Sequence, residues 1–424
     1  MAPMFFSKNK WLMCLCTLAV CNLAQAESEQ NWRWHSFVDL RLVATDNEAS
    51  QFDNGTGKLR YGGDAKNKKQ YLITLGELAL LGSYRFDWAW SGHFYFKADD
   101  EQQTLIDPVE VYLKYKPVPQ SRWRSEIRAG MFFPELSQEN VAPGWRSPFT
   151  ITPSAINSWF GEELRSIGLE ADTSYQFPSR TRLGFSGALI AANDPLGTLL
   201  AWRGWSLHDR NIGYNDRMPL PAAPDLQDGG MFAAQMNGVE PFKEIDNNVG
   251  YYLAVHGKQA KRWQWHLLYY DNNGDIKNPV EDGQYAWATR FVHVGGRYGI
   301  TPSLKIMTQL IKGNTKMGWT DWGAPVDNDF WAGYLLVSKR LKPHRISLRF
   351  DRFAVVDKDK APNDDNNERG HAWTGSYQYR WNKKVTLAGE VIYTENKRAI
   401  REALGEPEKQ HQWLGQIGLH YVLW

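Results

Sequence analysis

Arg122, Arg124, Glu126 and Arg128 share one parity in the segment Arg122 to Met131. Residues two apart on an extended chain point to one face, so this is a row of guanidiniums with one carboxylate set among them. Arg124 and Arg128 are four residues apart, about 13 Å at roughly 3.3 Å per residue. Such a row attracts anions, and strongly only where its surroundings are narrow, because the Debye length is about 8 Å at physiological salt. Away from the turns, the same parity argument puts Arg41, Lys97, Lys114, Lys305 and Arg349 on this kind of face. Asp39, Glu77, Glu110, Glu170, Asp351 and Glu390 oppose them. The signs nearly balance, so a mixed-charge surface of weak preference stands beside an anion-attracting one.

Bond-making chemistry finds no comparable footing. Asp271-Asn272-Asn273-Gly274-Asp275 begins like a calcium loop, but Gly is fourth rather than sixth and no Glu is twelfth. The stretch 357–370 is acid-rich without ligand spacing, and the ten histidines include no H-x-x-x-H pair. There is no G-x-S-x-G elbow and no phosphate loop. Cys14, Cys16 and Cys21 are the three cysteines, all in the first 21 residues, so no disulfide framework or Cys-zinc site is available downstream. Neither an enzyme nor a cofactor or metal is expected.

The elements that must carry these charges are strands. Trp32, Trp34, Val38, Leu40 and Leu42 alternate with Arg33, His35, Asp39 and Arg41, and the period of two recurs along the chain of 424 residues. Trp88-Trp90-Gly92-Phe94-Phe96, Val109-Val111-Leu113-Tyr115, Trp263-Trp265-Leu267-Tyr269, Ile346-Leu348-Phe350 and Val385-Leu387-Gly389-Val391-Tyr393 each interleave with polar residues. Between the strands, tight connections such as Arg85 to Asp87, Pro117 to Gln120 and Trp381 to Lys383 alternate with long polar segments. The long segments run about 46–70, 99–108, 133–162, 193–248, 271–284, 312–328, 356–370 and 395–410. Seven turns and eight loops join sixteen strands, with all the long loops at one end. That is the layout of a transmembrane antiparallel β-barrel with short periplasmic turns and long extracellular loops.

A soluble β-sandwich also alternates, but it buries its apolar face and spreads long loops over both ends. Here tryptophans cluster beside the short turns, as an interfacial girdle would. The opposite faces carry charges that a packed core would not tolerate but a water-filled lumen hydrates. A secreted carbohydrate-binding β-protein, stacking sugars on its Trp residues, is the soluble alternative.

The chain opens with a targeting pattern. Lys8 and Lys10 precede an apolar run from Trp11 to Leu23, and Ala24-Gln25-Ala26 is an A-x-A site. Residues 1–26 therefore read as a cleaved signal peptide and 27–424 as the barrel. Cleavage removes two lysines and no acid, which leaves 47 basic and 47 acidic residues and argues against a nucleic-acid binder.

The chain ends on Trp424, and here it resembles Gram-negative porins, whose last strand finishes on an aromatic residue that the barrel assembly machinery reads. The apolar alternation, Trp413, Ile417, Leu419, Tyr421 and Leu423, is one register off the family's; either a bulge near the end reconciles the two or the recognition signal is imperfect. More loosely, VEVYLKYKP (109–117), IRAGMFFPELSQEN (127–140) with Glu163-Leu164-Arg165, and the stretch Arg345 to Trp381 are similar to the phosphate-selective porin O/P family.

The resemblance implies an outer-membrane homotrimer whose third long loop folds into the barrel and whose arginines guide anions. It makes 133–162 the candidate constriction loop, with Arg146, Glu162 and Arg165 joining Arg41, Lys114, Arg124, Glu126, Arg128, Lys305 and Arg349 as pore-lining candidates. Arg128, on the strand leading into that loop, is expected nearest the narrowest point. Passive diffusion of small hydrophilic solutes, with a possible anion or phosphate bias, is the function so implied. Outer-membrane lipid and lipopolysaccharide are the expected surroundings, the latter bridged through divalent ions by 357–370. An adhesin or structural barrel whose loops bind outside partners is the alternative within the same architecture.

Overall fold

In the computed structural model, which describes residues 31–63, 68–260, 262–278 and 280–424, sixteen antiparallel strands close into one barrel. The proposed signal peptide lies outside the described residues. The strands are β1 (Trp32–Asp46), β2 (Lys69–Arg85), β3 (Trp90–Ala98), β4 (Asp107–Tyr115), β5 (Trp123–Phe132), β6 (Ser166–Gln176), β7 (Thr181–Ala191) and β8 (Gly250–Gln259). They continue as β9 (Trp263–Asp271), β10 (Trp287–Gly299), β11 (Leu304–Met317), β12 (Val326–Leu341), β13 (His344–Asp357), β14 (Glu368–Arg380), β15 (Val385–Arg398) and β16 (Lys409–Val422). Each pairs with its sequence neighbours, and β1 closes on β16 from Phe37 opposite Val422 to Thr45 opposite Leu414. Closure leaves no unpaired sheet edge, which a strand in hydrocarbon could not satisfy.

Alternation decides the two faces. On β1, Asp39, Arg41 and Val43 are buried inward, while Leu42 is exposed outward. Leu267, Leu348, Val391 and Ile417 are likewise exposed on the outer wall, an apolar surface suited to lipid. One residue departs from the expected parity. Val109 is fully buried beside Phe37, Tyr95 and Phe133, because the β3–β4 register slips between Tyr95 and Phe96. A bulge of this kind reverses the side-chain face on one side of the slip.

The last strand needs no bulge. Pairing of β16 runs without a break on both sides, and Trp413, Ile417, Leu419 and Tyr421 face outward in that register. Trp424 lies just beyond the strand.

The wall is uneven. Strands β3 to β9 have 9 to 11 residues, while β10 to β16 with β1 and β2 have 13 to 17. The taller strands run past the apolar band, so three loops are shorter than the sequence suggests. Only 318–325 joins β11 to β12, 358–367 joins β13 to β14, and 399–408 joins β15 to β16. Two long loops fold inward and carry short helices, α1 (Ala155–Glu163) and α2 (Thr198–Trp202). A third, α3 (Ile400–Ala403), lies between β15 and β16.

Candidate functional site

The segment 133–162 crosses the lumen, held by charged residues of the far wall. On β13, the wholly buried Arg349 donates to Glu139 (2.7 Å), Asp351 (2.7 Å) and the carbonyls of Thr152 (2.7 Å) and Pro153 (2.9 Å). On β15, Glu390 accepts the N–H groups of Ile151 (2.6 Å) and Thr152 (2.9 Å). These contacts set the start of α1. Ser154 caps it by accepting from the N–H of Asn157, and the Ala155 N–H meets Asp351 at 3.2 Å. Carboxylates at a helix N-terminus complement its dipole.

Every residue of α1 is buried. Trp159 packs against Trp205, Phe291 and Phe330 with ring centroids 5.4 to 5.8 Å apart. The expected constriction segment therefore enters the barrel, and its helix packs against the β10–β12 wall in an apolar cluster.

Four of the expected pore residues are consumed in buried contacts. Arg128 is 4% exposed, held by Glu170 (2.5 Å) and stacked 4.5 Å over Phe132. Glu162 pairs with Arg203 (2.9 Å) and His208 (3.2 Å). Burial by itself would raise the Glu162 carboxyl, but these two partners hold it down at about 2. Its neighbour Glu163 has no ion pair among the described residues, so burial, helped by the charge of Glu162, pushes it up to about 7 although Leu199 N–H and Trp159 donate to it. Arg165 is buried, donating to the carbonyls of Ile212 and Gly161 and lying over the rings of Phe133 and Phe242. Arg349 is the anchor described above.

Towards the turn end the lumen is open instead. A cavity of about 680 Å³ is lined by Arg41, Arg146, Arg340, Lys342, Arg345, Arg380 and Lys383, with Asp39 and Asp209 the acids among its lining residues. Arg146 reaches it through a tight turn. Gly144, at φ +74°, is required because a Cβ there would meet the Phe37 ring at 3.0 Å. The Arg146 guanidinium then lies 3.9 Å over Phe37, 3.6 Å from Asp39 and 3.2 Å from His420. Arg41 is tied to Asp209, one contact being 2.9 Å. Arg340, Lys342, Arg345, Arg380 and Lys383 make no ion pair among the described residues.

A second cavity, about 480 Å³, opens among the long loops and is lined in part by Glu101, Arg210 and Arg217. Arg60 links the two, donating to Asp209 (3.0 Å) of the turn-end cavity and to Glu101 (3.1 Å) of the loop-end one. Burial raises the Asp209 carboxyl and the two guanidiniums lower it further, so it is held far below the usual carboxylate range.

The remaining expected residues lie elsewhere on the inner wall. Lys114 and Lys116 both pair with Glu126, at 2.8 and 2.5 Å. Arg124 is exposed without an ion pair among the described residues, and Lys305 keeps the inward parity of β11. Sequence reasoning missed Arg60, Glu101 and Asp209, which sit in aperiodic loops. It also stopped short of the turns, where Arg340, Arg345 and Arg380 keep inward parity.

Among the described residues, Asp194, Glu244 and Asp246 bring carboxylate oxygens within 4.8 Å of one another at the long-loop end. Burial raises Asp194 to about 6, and it already accepts the N–H groups of Ile245 and Asp246. The cluster closes its loop through backbone N–H groups. The acids of 357–367 do the same, since Asp357 takes the N–H groups of Asp359 and Asn366 and Asp364 binds Asn366.

No family model matches the chain, and no curated protein is similar to it in sequence. Its fold is shared by solved structures. The outer membrane channel DcaP of Acinetobacter baumannii has a TM-score of 0.55 at 10% identity, over 94% of this chain and 99% of that one. An anion-selective porin from Comamonas acidovorans has 0.51 at 12%, over 92% and 99%. OmpT, an outer membrane protein of Vibrio cholerae, has 0.50 at 9%, over 93% and 99%. The chain shares with them the closed antiparallel barrel of outer-membrane porins.

Proposed function

We propose that this chain is an outer-membrane porin for small hydrophilic solutes, with an anion bias seated in the turn-end cavity. The observation that carries the reading is the charge of that cavity, seven Arg and Lys against Asp39 and Asp209. Wall charge sets selectivity most strongly where the passage is narrow and walled by low dielectric. On this reading the ion pairs of Arg60 with Glu101 and Asp209 stand between the loop-end cavity and the basic one, where a solute crosses. The anion-selective porin of similar fold supports the bias by analogy alone. Phosphate is one anion such guanidiniums would take, as the loose resemblance to the O/P family implies.

The same reading makes the chain a homotrimer in the outer membrane, among lipopolysaccharide, assembled through the strand that precedes Trp424. Its long loops face outward, so an epitope inserted at Asp228, exposed in the β7–β8 loop, is detected on intact cells.

The test is single-channel recording in a planar bilayer under a salt gradient. An anion-selective reversal potential is expected. Cation selectivity removes the bias, and an absence of conductance leaves the adhesin or structural barrel. That second reading draws support from the packing around α1, which narrows the lumen.

A further inference from the structure

Outside the barrel, the wall formed by β13 to β16 changes character beyond its aromatic row. Cross-strand register aligns Phe350, Trp373, Tyr393 and Trp413. Tyr421 stands eight residues from Trp413 on β16, so the apolar band spans about 26 Å along the strand before tilt. Two residues further towards the long loops, Arg352, His371, Glu395 and His411 align, and the next row is Ala354, Arg369, Lys397 and Lys409. These rows lie roughly 7 and 13 Å past the aromatic girdle along the strand, at the level of lipid headgroups.

The second row sets three cations directly opposite one another on adjacent strands. Like charges so placed destabilise a sheet, which gives folding no reason to favour them. Nearby acids compensate in part. Glu408 pairs with Lys397 at 2.8 Å, and Glu395 with Lys409 at 2.9 Å and His411 at 3.2 Å. Arg369 has no acidic partner among the described residues, and Arg352 has the ring of Trp331, 5.9 Å away. Four permanent cations therefore face two carboxylates, the third acid of this wall, Glu368, being turned inward to Lys58 and Arg398. The small Ala354 leaves a shallow concavity of about 830 Å³, walled in part by Trp331, Arg352, Arg369, Lys397 and Lys409.

We infer that this concavity binds the phosphorylated headgroup of a glycolipid in the outer leaflet, with Arg352, Arg369, Lys397 and Lys409 as its phosphate ligands. The inference rests on the outer-membrane porin reading and on its loops-out orientation. Phosphate monoesters match both the excess charge and the fork geometry of arginine, and the aromatic row beneath suits the start of acyl chains. It moves the lipopolysaccharide contact from the acids of 357–367, which are tied to their own loop, to the basic wall beside them.

The test uses the full chain folded in detergent micelles, titrated with a bisphosphorylated lipid A, its dephosphorylated form, and inorganic phosphate. Native mass spectrometry reads retention, and heat-modifiable gel mobility confirms the fold. The parent is expected to retain the bisphosphorylated lipid and not the dephosphorylated one. Arg369→Ser with Lys397→Ser and Lys409→Ser should weaken retention by at least about tenfold. Arg369→Gln alone, which leaves the paired lysines in place, should weaken it severalfold and serves if the triple variant misfolds. Arg85→Ser with Arg122→Ser and Lys384→Ser, exposed cations of the turn end, should leave it unchanged. Equal loss in both triple variants, or none in the first, overturns the site. Retention of the dephosphorylated form, or inorganic phosphate competing at the lipid's own affinity, overturns the headgroup assignment. Conductance separates the two readings. A parent that retains lipid but passes no current refutes the channel and keeps the site, while a conducting parent that retains no lipid does the reverse.

Discussion

Around α1 the lumen is filled, whereas a few residues along the same loop it is open, and the two regions use charge in opposite ways. Beside α1, each buried arginine meets a carboxylate or a set of carbonyls: Arg203 with Glu162, Arg128 with Glu170, Arg349 with Glu139 and Asp351. Desolvated charges are tolerable only in such pairs, and a paired charge presents little field to a passing ion. At the turn end, Arg340, Arg345 and Arg380 crowd one another across β12, β13 and β14, with Arg340 directly opposite Arg345. Apart from the Phe149 ring, 4.9 Å from the Arg345 guanidinium, it is hydration that makes that arrangement stable, so it belongs to a water-filled space. Burial in the packed region thus marks structural arginines, and the proposed selectivity belongs to those where the wall is wet.

The sharpest way to break this contrast is to unpair the packed region. Arg349→Met leaves Glu139 and Asp351 buried without their cation, which should cost about 3–5 kcal/mol. It also frees the carbonyls that hold 152–153 against β13. Unfolding followed by gel mobility should show the loss, and single-channel traces should become noisier as the loop is released. A variant as stable and quiet as the parent would mean that the loop is held by its apolar face alone.

Next in size is the wall itself. Leu348→Arg places a guanidinium on the outer apolar band and should cost about 2–4 kcal/mol near the midplane. Gln378→Glu, on the inner face among the turn-end arginines, should cost nothing measurable and reduce anion preference. Equal damage from both would contradict the assigned faces.

The comparison then predicts which arginines set selectivity. Arg345→Ser with Arg380→Ser removes two unpaired cations and should lower the anion-to-cation permeability ratio by roughly a factor of two to three. Arg128→Ser should leave the ratio unchanged while lowering stability, because Glu170 already neutralises it. If the reversal potential follows Arg128 instead, the route lies along β5 and not through the turn-end cavity.

Sequence alone exposed the barrel, since strands such as Val385–Arg398 alternate over their whole membrane span. It set some ends too early. β11 and β12 continue past the band with Asn314, Lys316, Asp327 and Asp329 outward, where water replaces lipid and the apolar signal stops while the ladder goes on. The site was legible only in part. Arg41 follows from parity, but its partner Asp209 comes from a loop 168 residues away that has no period to read. Nor does parity separate a hydrated arginine from a paired one, because Arg345 and Arg349 differ only in what the loop brings to them.

The smallest effect distinguishes two neighbours inside the packed region. Glu162, held down at about 2 by Arg203 and His208 against the pull of burial, stabilises the fold above the ordinary Glu value of 4.5 and loses that contribution as pH falls towards 2. Glu163 has the opposite sign. Burial raises it to about 7, so its contribution is complete below 4.5 and is lost as pH rises through 7, where the folded state must ionise a carboxyl that the unfolded chain ionises more easily. Thermal unfolding of the parent should therefore show a downward contribution between pH 4.5 and 7 that Glu163→Gln removes. Glu162→Gln should flatten that window's slope only in part, because burial still raises Glu163 once the charge of Glu162 is gone, and should lower stability throughout it, since Arg203 loses its carboxylate. A Glu163→Gln variant with the parent's slope would mean that water reaches Glu163, and that the packed region is wetter than its apolar neighbours imply.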